Sequence, residues 1–239
     1  MSKRADLGNP DLNSLHPDVR FTRRSFIASS LATGFALSAG PAIAQTAIKT
    51  SDEGLETGAA QISVQGGNMP AYFAAPKKAG KRATVIVIPE IWGMHEYQKD
   101  ICRREDSVML ADLDALVAWV EQQPKVNAKK LGMTGMCRGG RTVWMYVAHS
   151  KKIKAGVAWY GGLNPMPPAM PLTPMDVADQ LHAPVLGLYG GADQGIPENM
   201  VERMRAGLLA FGKDKESTIH VYPDMPHAFH ADYRPSYRK

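Results

Sequence analysis

The chain has 239 residues, 28 Lys/Arg against 23 Asp/Glu for a formal net charge of +5, and two cysteines. That length suits one domain with a real core. The mild basic excess, with no basic cluster or aromatic-interleaved patch, argues against nucleic acid as a partner. Two cysteines argue against a disulfide-stapled scaffold and against a multi-cysteine metal site.

At the N-terminus, Thr22-Arg23-Arg24-Ser25-Phe26-Ile27 precedes an uncharged run from Ala28 to Ala44 that is rich in Ala, Ser and Gly and closes on Ala42-Ile43-Ala44. This is similar to a twin-arginine export signal cleaved before Gln45. About 17 weakly hydrophobic residues fall short of the ~20 strongly apolar ones a span needs. A periplasmic or secreted product with no permanent membrane span after signal removal is therefore expected. Residues 1–44 hold five Lys/Arg and three Asp/Glu, so the mature chain keeps 23 basic against 20 acidic side chains.

Residues 45–59 are polar and irregular and read as a linker, with an ordered domain expected over 60–239. Gln61 to Gln65 alternates apolar and polar, Gly66-Gly67-Asn68 is a turn cluster, and Met69 to Ala75 resumes an extended pattern, which predicts a hairpin. Pro76 to Lys81 breaks it. Ala83 to Ile88 is a β-branched run without polar alternation, the pattern of a central parallel strand covered on both faces. Further strands are expected at Lys130–Thr134, Ala155–Tyr160, Pro184–Tyr189 and Thr218–Tyr222. Helix patterns lie between them at His95–Arg104, Val108–Gln122, Thr142–His149 and Asn199–Phe211. Strands alternating with helices predict an α/β fold with a mostly parallel, doubly wound sheet. Pro165 to Pro174, with five prolines in ten residues, reads as a rigid loop beyond a strand's C-terminal end, where such folds place their pockets.

The chemistry concentrates at Gly135-Met136-Cys137-Arg138-Gly139-Gly140, between a strand pattern and a helix pattern. Glycines at 135 and 139 remove the Cβ atoms that would collide in a sharp elbow, leaving Cys137 in a strained, outward-pointing conformation. A thiol nucleophile needs a base and an orienting group, supplied in α/β-hydrolases as acid and then histidine. Asp193 follows an apolar strand and precedes Pro197; His227 follows the last strand. Both fall on loops at strand C-termini, as Cys137 does. The helix dipole and His227 would both favour the anionic sulfur.

On Pro89-Glu90-Ile91-Trp92-Gly93, the Gly135–Gly140 elbow, Tyr160-Gly161-Gly162, the loop around Asp193 and His227-Ala228-Phe229-His230, residues 60–235 resemble the dienelactone hydrolase family. That resemblance implies an α/β-hydrolase fold and a Cys137, Asp193, His227 triad. It also implies an oxyanion hole from the backbone N–H groups of Ile91 and Arg138, and a substrate pocket including Glu90, Trp92, Tyr160, Phe229 and Arg234. Glu90 matches the family's pocket carboxylate. Arg234 stands in for a family arginine whose expected place holds Ala231. The implied activity resembles that of a carboxymethylenebutenolidase, cleaving a small-molecule lactone or small carboxylic ester through a thioester. No metal or organic cofactor is implied, and a monomer or weak dimer is expected.

One unit of the family pattern is missing. Glu105-Asp106-Ser107 joins two helix patterns directly where a strand-containing unit of ~30 residues should intervene, so the sheet is expected to be one strand short. Bland readings compete at several positions. Cys102, in a helix pattern, is taken as a buried hydrophobe, and a Cys102–Cys137 bridge is discounted because it would consume the reactive sulfur. Asp193 could cap a helix, Glu90 could cap a loop, and His230 with Asp232 are taken as loop polar groups, not metal ligands. Two other readings compete: a catalytically impaired exported homologue that acts as a binding protein or has no function, which the missing unit favours and the intact triad opposes, and a redox thiol, for which only Cys102 could resolve Cys137.

Overall fold

The computed structural model describes residues 51–90, 106–165, 171–232 and 234–238. The expected signal over 1–44, the helix at His95–Arg104, Ile91, Trp92 and Cys102 lie outside these residues. One compact unit runs from Thr50 to His227 and holds every strand and helix described below; the residues from Ala228 onward belong to a second unit.

Strands β1 (Leu55–Val64) and β2 (Gly67–Pro76) form an antiparallel two-stranded sheet. Strand β1 thus starts at Leu55, within the stretch expected to be linker: Glu56 and Thr57 pair with Ala75 and Ala74, Glu56 on an exposed face and Thr57 on the opposite, half-buried one. The turn is tighter than the glycine cluster suggested, with Val64 opposite Gly67 and Gly66 at φ 91°. The Lys125 ammonium contacts the Glu56 carboxylate and reaches the Pro76 carbonyl at 3.2 Å, tying the ribbon to the loop that precedes the strand at Val126.

The second sheet is parallel throughout, in the order β3 (Arg82–Ile88), β4 (Val126–Met136), β5 (Ile153–Trp159), β6 (Val185–Gly190), β7 (Thr218–Tyr222). Helices α1 (Asp106–Glu121), α2 (Arg138–His149) and α3 (Glu198–Ala210) connect them, with a 3-10 helix at Pro174–Gln180 before β6. Each strand lies beside the one before it in sequence, and right-handed crossovers in such an order carry the connecting helices to one side. On that side Ile86, Met133 and Val185 are buried, and Gly156 accepts α2 so closely that an added Cβ would lie 2.8 Å from Val143 and 3.3 Å from Val147. Helix α2 is consequently buried nearly all round, from Gly139 to Ala148.

The opposite face departs from expectation. Strand β3 is not central: it is the terminal strand of the described sheet, and Val85 and Val87 are 61% and 56% exposed. The β-branched run that reads as covered on both faces is covered on one. That exposure is in keeping with the expected missing unit, since a strand that has lost its cover keeps the composition of a buried one. The 3-10 helix begins at Pro174, the last residue of the expected proline-rich loop, and the sequence reading places no element over the rest of it. Its signal was present: Thr173 accepts from the Asp176 amide, Asp176 accepts from the Thr173 amide at 2.7 Å, and Pro174 opens the first turn, which is a reciprocal capping box.

Candidate active site

The elbow is built from close backbone approaches. Strand β4 ends at Met136, Cys137 takes φ 55° and ψ −117°, and α2 starts at Arg138. A Cβ at Gly135 would sit 2.3 Å from the Gly139 carbonyl oxygen, one at Gly139 would sit 2.3 Å from that of Ile88, and one at Gly140 would sit 2.5 Å from that of Trp159. No side chain could relieve these contacts, so the glycines are required by backbone alone. A positive φ at a non-glycine residue costs about 1–3 kcal/mol and persists only where its surroundings enforce it. Here the Cys137 amide donates to the Trp159 carbonyl at 2.9 Å, so the end of β5 holds the Cys137 loop.

Asp193 follows β6 and is 3% exposed. Its Oδ1 accepts from the Gly195 and Ile196 amides at 2.9 and 3.1 Å, and its Oδ2 lies 2.7 Å from His227 Nδ1. The helix-cap alternative does not describe it: the residue capping α3 is Pro197, with no side-chain cap bond. His227 follows β7 and is half-buried, with Nε2 3.3 Å from Cys137 Sγ. Cys137 is itself partly exposed. Three loops from distant parts of the chain thus bring sulfur, imidazole and carboxylate into one line.

Burial of the His227 ring works against its charged form, but hydrogen bonds to Asp193 and Cys137, with the negative charge those groups can carry, outweigh it and push the imidazole up from 6.5 to about 10. Between these values the folded chain holds a proton that the unfolded chain has released, so the contribution of this group to stability is complete below pH 6.5 and is lost as pH rises toward 10. The unfolding midpoint of the wild type should therefore fall more steeply across that window than that of His227→Gln. Parallel curves would contradict the raised affinity for the proton.

Glu90, at the end of β3, is 4% exposed, and Tyr160, just after β5, is 1% exposed. The Tyr160 hydroxyl donates to Glu90 Oε1 at 3.3 Å, and the Tyr160 and His227 ring centroids are 5.1 Å apart with planes at 64°. Arg138, the expected source of an oxyanion-hole amide, is the first residue of α2; its expected partner Ile91 and the pocket candidate Trp92 lie outside the described residues. Phe229 and Arg234 are buried in the second unit, where Arg238 donates to the Phe229 carbonyl and Arg234 to that of Ala231. Trp144 is core: its indole N–H donates to the Tyr189 hydroxyl at 3.1 Å. Two supports went unread in the sequence. The Asp-x-Gly-Ile pattern at 193–196 signals an amide cradle for the carboxylate, while the bracing of Cys137 by the β5 carbonyl leaves no side-chain signature. Among the described residues, no cluster of three His, Cys, Asp or Glu side chains is arranged to hold a metal, and no helix is long and apolar enough to cross a membrane.

A parallel sheet delivering a thiol, an imidazole and a carboxylate from its strand C-termini defines a hydrolase of the α/β-hydrolase kind. The sequence profile of the dienelactone hydrolase family matches residues 103–239, more than half of the chain, and relatives agree. A candidate carboxymethylenebutenolidase of Methylorubrum extorquens is 44% identical, with 95% of this chain and 91% of that protein covered, and one of Escherichia coli K12 is 40% identical over 88% and 91%. The crystal structure of a candidate dienelactone hydrolase from Klebsiella pneumoniae superposes with a TM-score of 0.70 at 39% identity, covering 77% of this chain and 92% of that one. The chain belongs to the dienelactone hydrolase family. The Methylorubrum alignment runs over 266 positions against 239 residues, which leaves at least 27 positions of the relative without a counterpart here. That shortfall accords with the missing unit and the uncovered face of β3.

Proposed function

We propose that the protein hydrolyses a lactone or small carboxylic ester with Cys137 as nucleophile. The observation that carries this reading is the double engagement of His227, at 2.7 Å from Asp193 and 3.3 Å from Cys137. Cys137 gives its proton to His227 Nε2, the thiolate sulfur adds to the carbonyl carbon, and the carbonyl π electrons move to oxygen as an oxyanion. The amides proposed to receive it are those of Arg138 and Ile91; donors of this kind are worth roughly 3–4 kcal/mol each. Collapse breaks the bond to the leaving oxygen, which takes the proton from His227 Nε2, and a thioester remains on Cys137. Water then adds to the thioester carbonyl while His227 accepts its proton, and departure of the sulfur releases the acid. An enol leaving group would ease the first step, because it departs as a stabilised anion. The 28% identical Bradyrhizobium protein carries the name of a 2-oxo-3-(5-oxofuran-2-ylidene)propanoate lactonase, which supports the lactone class.

Cys137→Ala is expected to lower p-nitrophenyl acetate hydrolysis by the mature protein by a factor on the order of 10³ or more. Equal rates for variant and wild type would remove catalysis by this thiol and leave the binding-protein reading, which the exposed Val85 and Val87 favour. We further propose periplasmic or secreted localisation by twin-arginine export. Replacing Arg23 and Arg24 with lysine should retain the precursor in the cytoplasm; unchanged export would contradict it.

A further inference from the structure

Among the described residues, three non-glycine positions hold a positive φ: Cys137 at 55°, Tyr160 at 36° and Ala228 at 58°. The first is the nucleophile and the third adjoins His227. Tyr160 has no step in the hydrolytic cycle, yet its backbone is held in the same sparsely populated region, and such an outlier is a reason to look for a role. The restraint is visible. The Tyr160 amide donates to the Leu188 carbonyl at 2.7 Å, and Gly161 presses on the start of α2 so closely that an added Cβ would lie 2.4 Å from the Arg141 nitrogen. The ring is thereby directed into a buried position where it touches two functional groups at once. Its hydroxyl donates to Glu90 Oε1 at 3.3 Å, and its ring meets the His227 ring at 5.1 Å and 64°.

His227 needs such a support. It sits on an irregular segment after β7 and not on a helix or strand, and its bond to Asp193 fixes Nδ1 alone. Where Nε2 falls against the sulfur therefore depends also on what packs against the ring. Edge-to-face ring contacts are directional, and the hydroxyl's contact with Glu90, at 3.3 Å a long hydrogen bond, adds a second point of restraint on the ring. The groups facing His227 are Asp193 after β6, Cys137 at the elbow and Tyr160 after β5, with Glu90 of the β3 end behind the Tyr160 hydroxyl.

We propose that Tyr160 is a positioning residue: its ring holds the His227 imidazole in the orientation that serves Asp193 and Cys137 together, and its hydroxyl fixes that ring by anchoring on Glu90. This rests on the triad reading above. The last turn of β5 then braces both reacting partners, Cys137 through the Trp159 carbonyl and His227 through the neighbouring side chain.

The test uses mature wild type, Tyr160→Phe, which keeps the ring and loses the anchor, and Tyr160→Leu, which loses both. Steady-state hydrolysis of p-nitrophenyl acetate is measured together with the proton resonance of the His227 Cε1–H, identified by its loss in His227→Gln. Positioning predicts a kcat about 5–10-fold lower in the phenylalanine variant and about 50-fold lower in the leucine variant, with KM within about twofold of wild type, and a displaced or broadened His227 resonance in both. A higher KM at unchanged kcat would make Tyr160 a pocket wall and overturn the proposal. So would an unmoved His227 resonance in Tyr160→Phe, a readout that holds even if the leucine variant does not fold. Retention of wild-type hydrolysis by Cys137→Ala would instead sink the triad reading, independently of the resonance.

Discussion

Asp193→Asn should reduce kcat/KM for p-nitrophenyl acetate by a factor on the order of 10³ to 10⁴ while leaving the fold in place. The carboxylate is 3% exposed, with Oδ1 committed to the Gly195 and Ile196 amides and Oδ2 to His227 Nδ1. Asparagine fits the same space and can keep the Oδ1 contacts, which leaves its NH₂ facing the imidazole. Nδ1 must then accept, so the neutral ring carries its proton on Nε2 and has no lone pair to offer the sulfur 3.3 Å away. The loss should therefore appear in kcat with little change in KM. A variant within tenfold of wild type would mean that Asp193 does not orient the base.

A large effect on stability is expected at Gly139→Ala. The added Cβ would lie 2.3 Å from the Ile88 carbonyl oxygen and 2.9 Å from that of Pro89, both main-chain atoms that cannot rotate away. The start of α2 must separate from the end of β3, which opens the most buried of the described helices. A destabilisation of about 3 kcal/mol or more follows from overpacking of this kind, or roughly 6–12 °C in the unfolding midpoint of a chain this size. Gly162→Ala is the control, since its nearest atom would be Asn164 Oδ1 at 4.0 Å, and it should shift the midpoint by no more than about 2 °C. Similar shifts for the two variants would contradict the tight elbow.

Much of this arrangement could be read before any coordinates. Strand β7 begins and ends where the Thr218–Tyr222 alternation does, and the glycines at 135 and 139 mark an elbow because only a missing Cβ allows such approaches, a local requirement that sequence records directly. The order acid then histidine located Asp193 and His227, since each lies on a loop that a strand delivers. What failed were properties that belong to neighbours. The run Ala83–Ile88 carries the composition of a strand covered on both faces, yet nothing in those six residues reports that Val85 and Val87 have lost their cover; only the short junction at Glu105-Asp106-Ser107 hints at it. The strand at Leu55 was hidden because an exposed ribbon tolerates polar residues, and the 3-10 helix because a segment this short, opened by Pro174, carries no helical periodicity to draw attention to the Thr173–Asp176 capping box. Tyr160 was legible as a pocket residue, but its positive φ and its double contact with Glu90 and His227 arise from backbone crowding between β5, β6 and α2, which no single segment encodes.

The most direct measurement is intact-mass and peptide mass spectrometry of the mature protein quenched in acid within the first turnovers on p-nitrophenyl acetate. Catalysis through this triad predicts an acetyl group on the peptide containing Cys137, absent from Cys137→Ala and formed far more slowly in His227→Gln. Hydrolysis at the wild-type rate with that cysteine never acylated, or acylation undiminished when His227 is removed, would contradict the account.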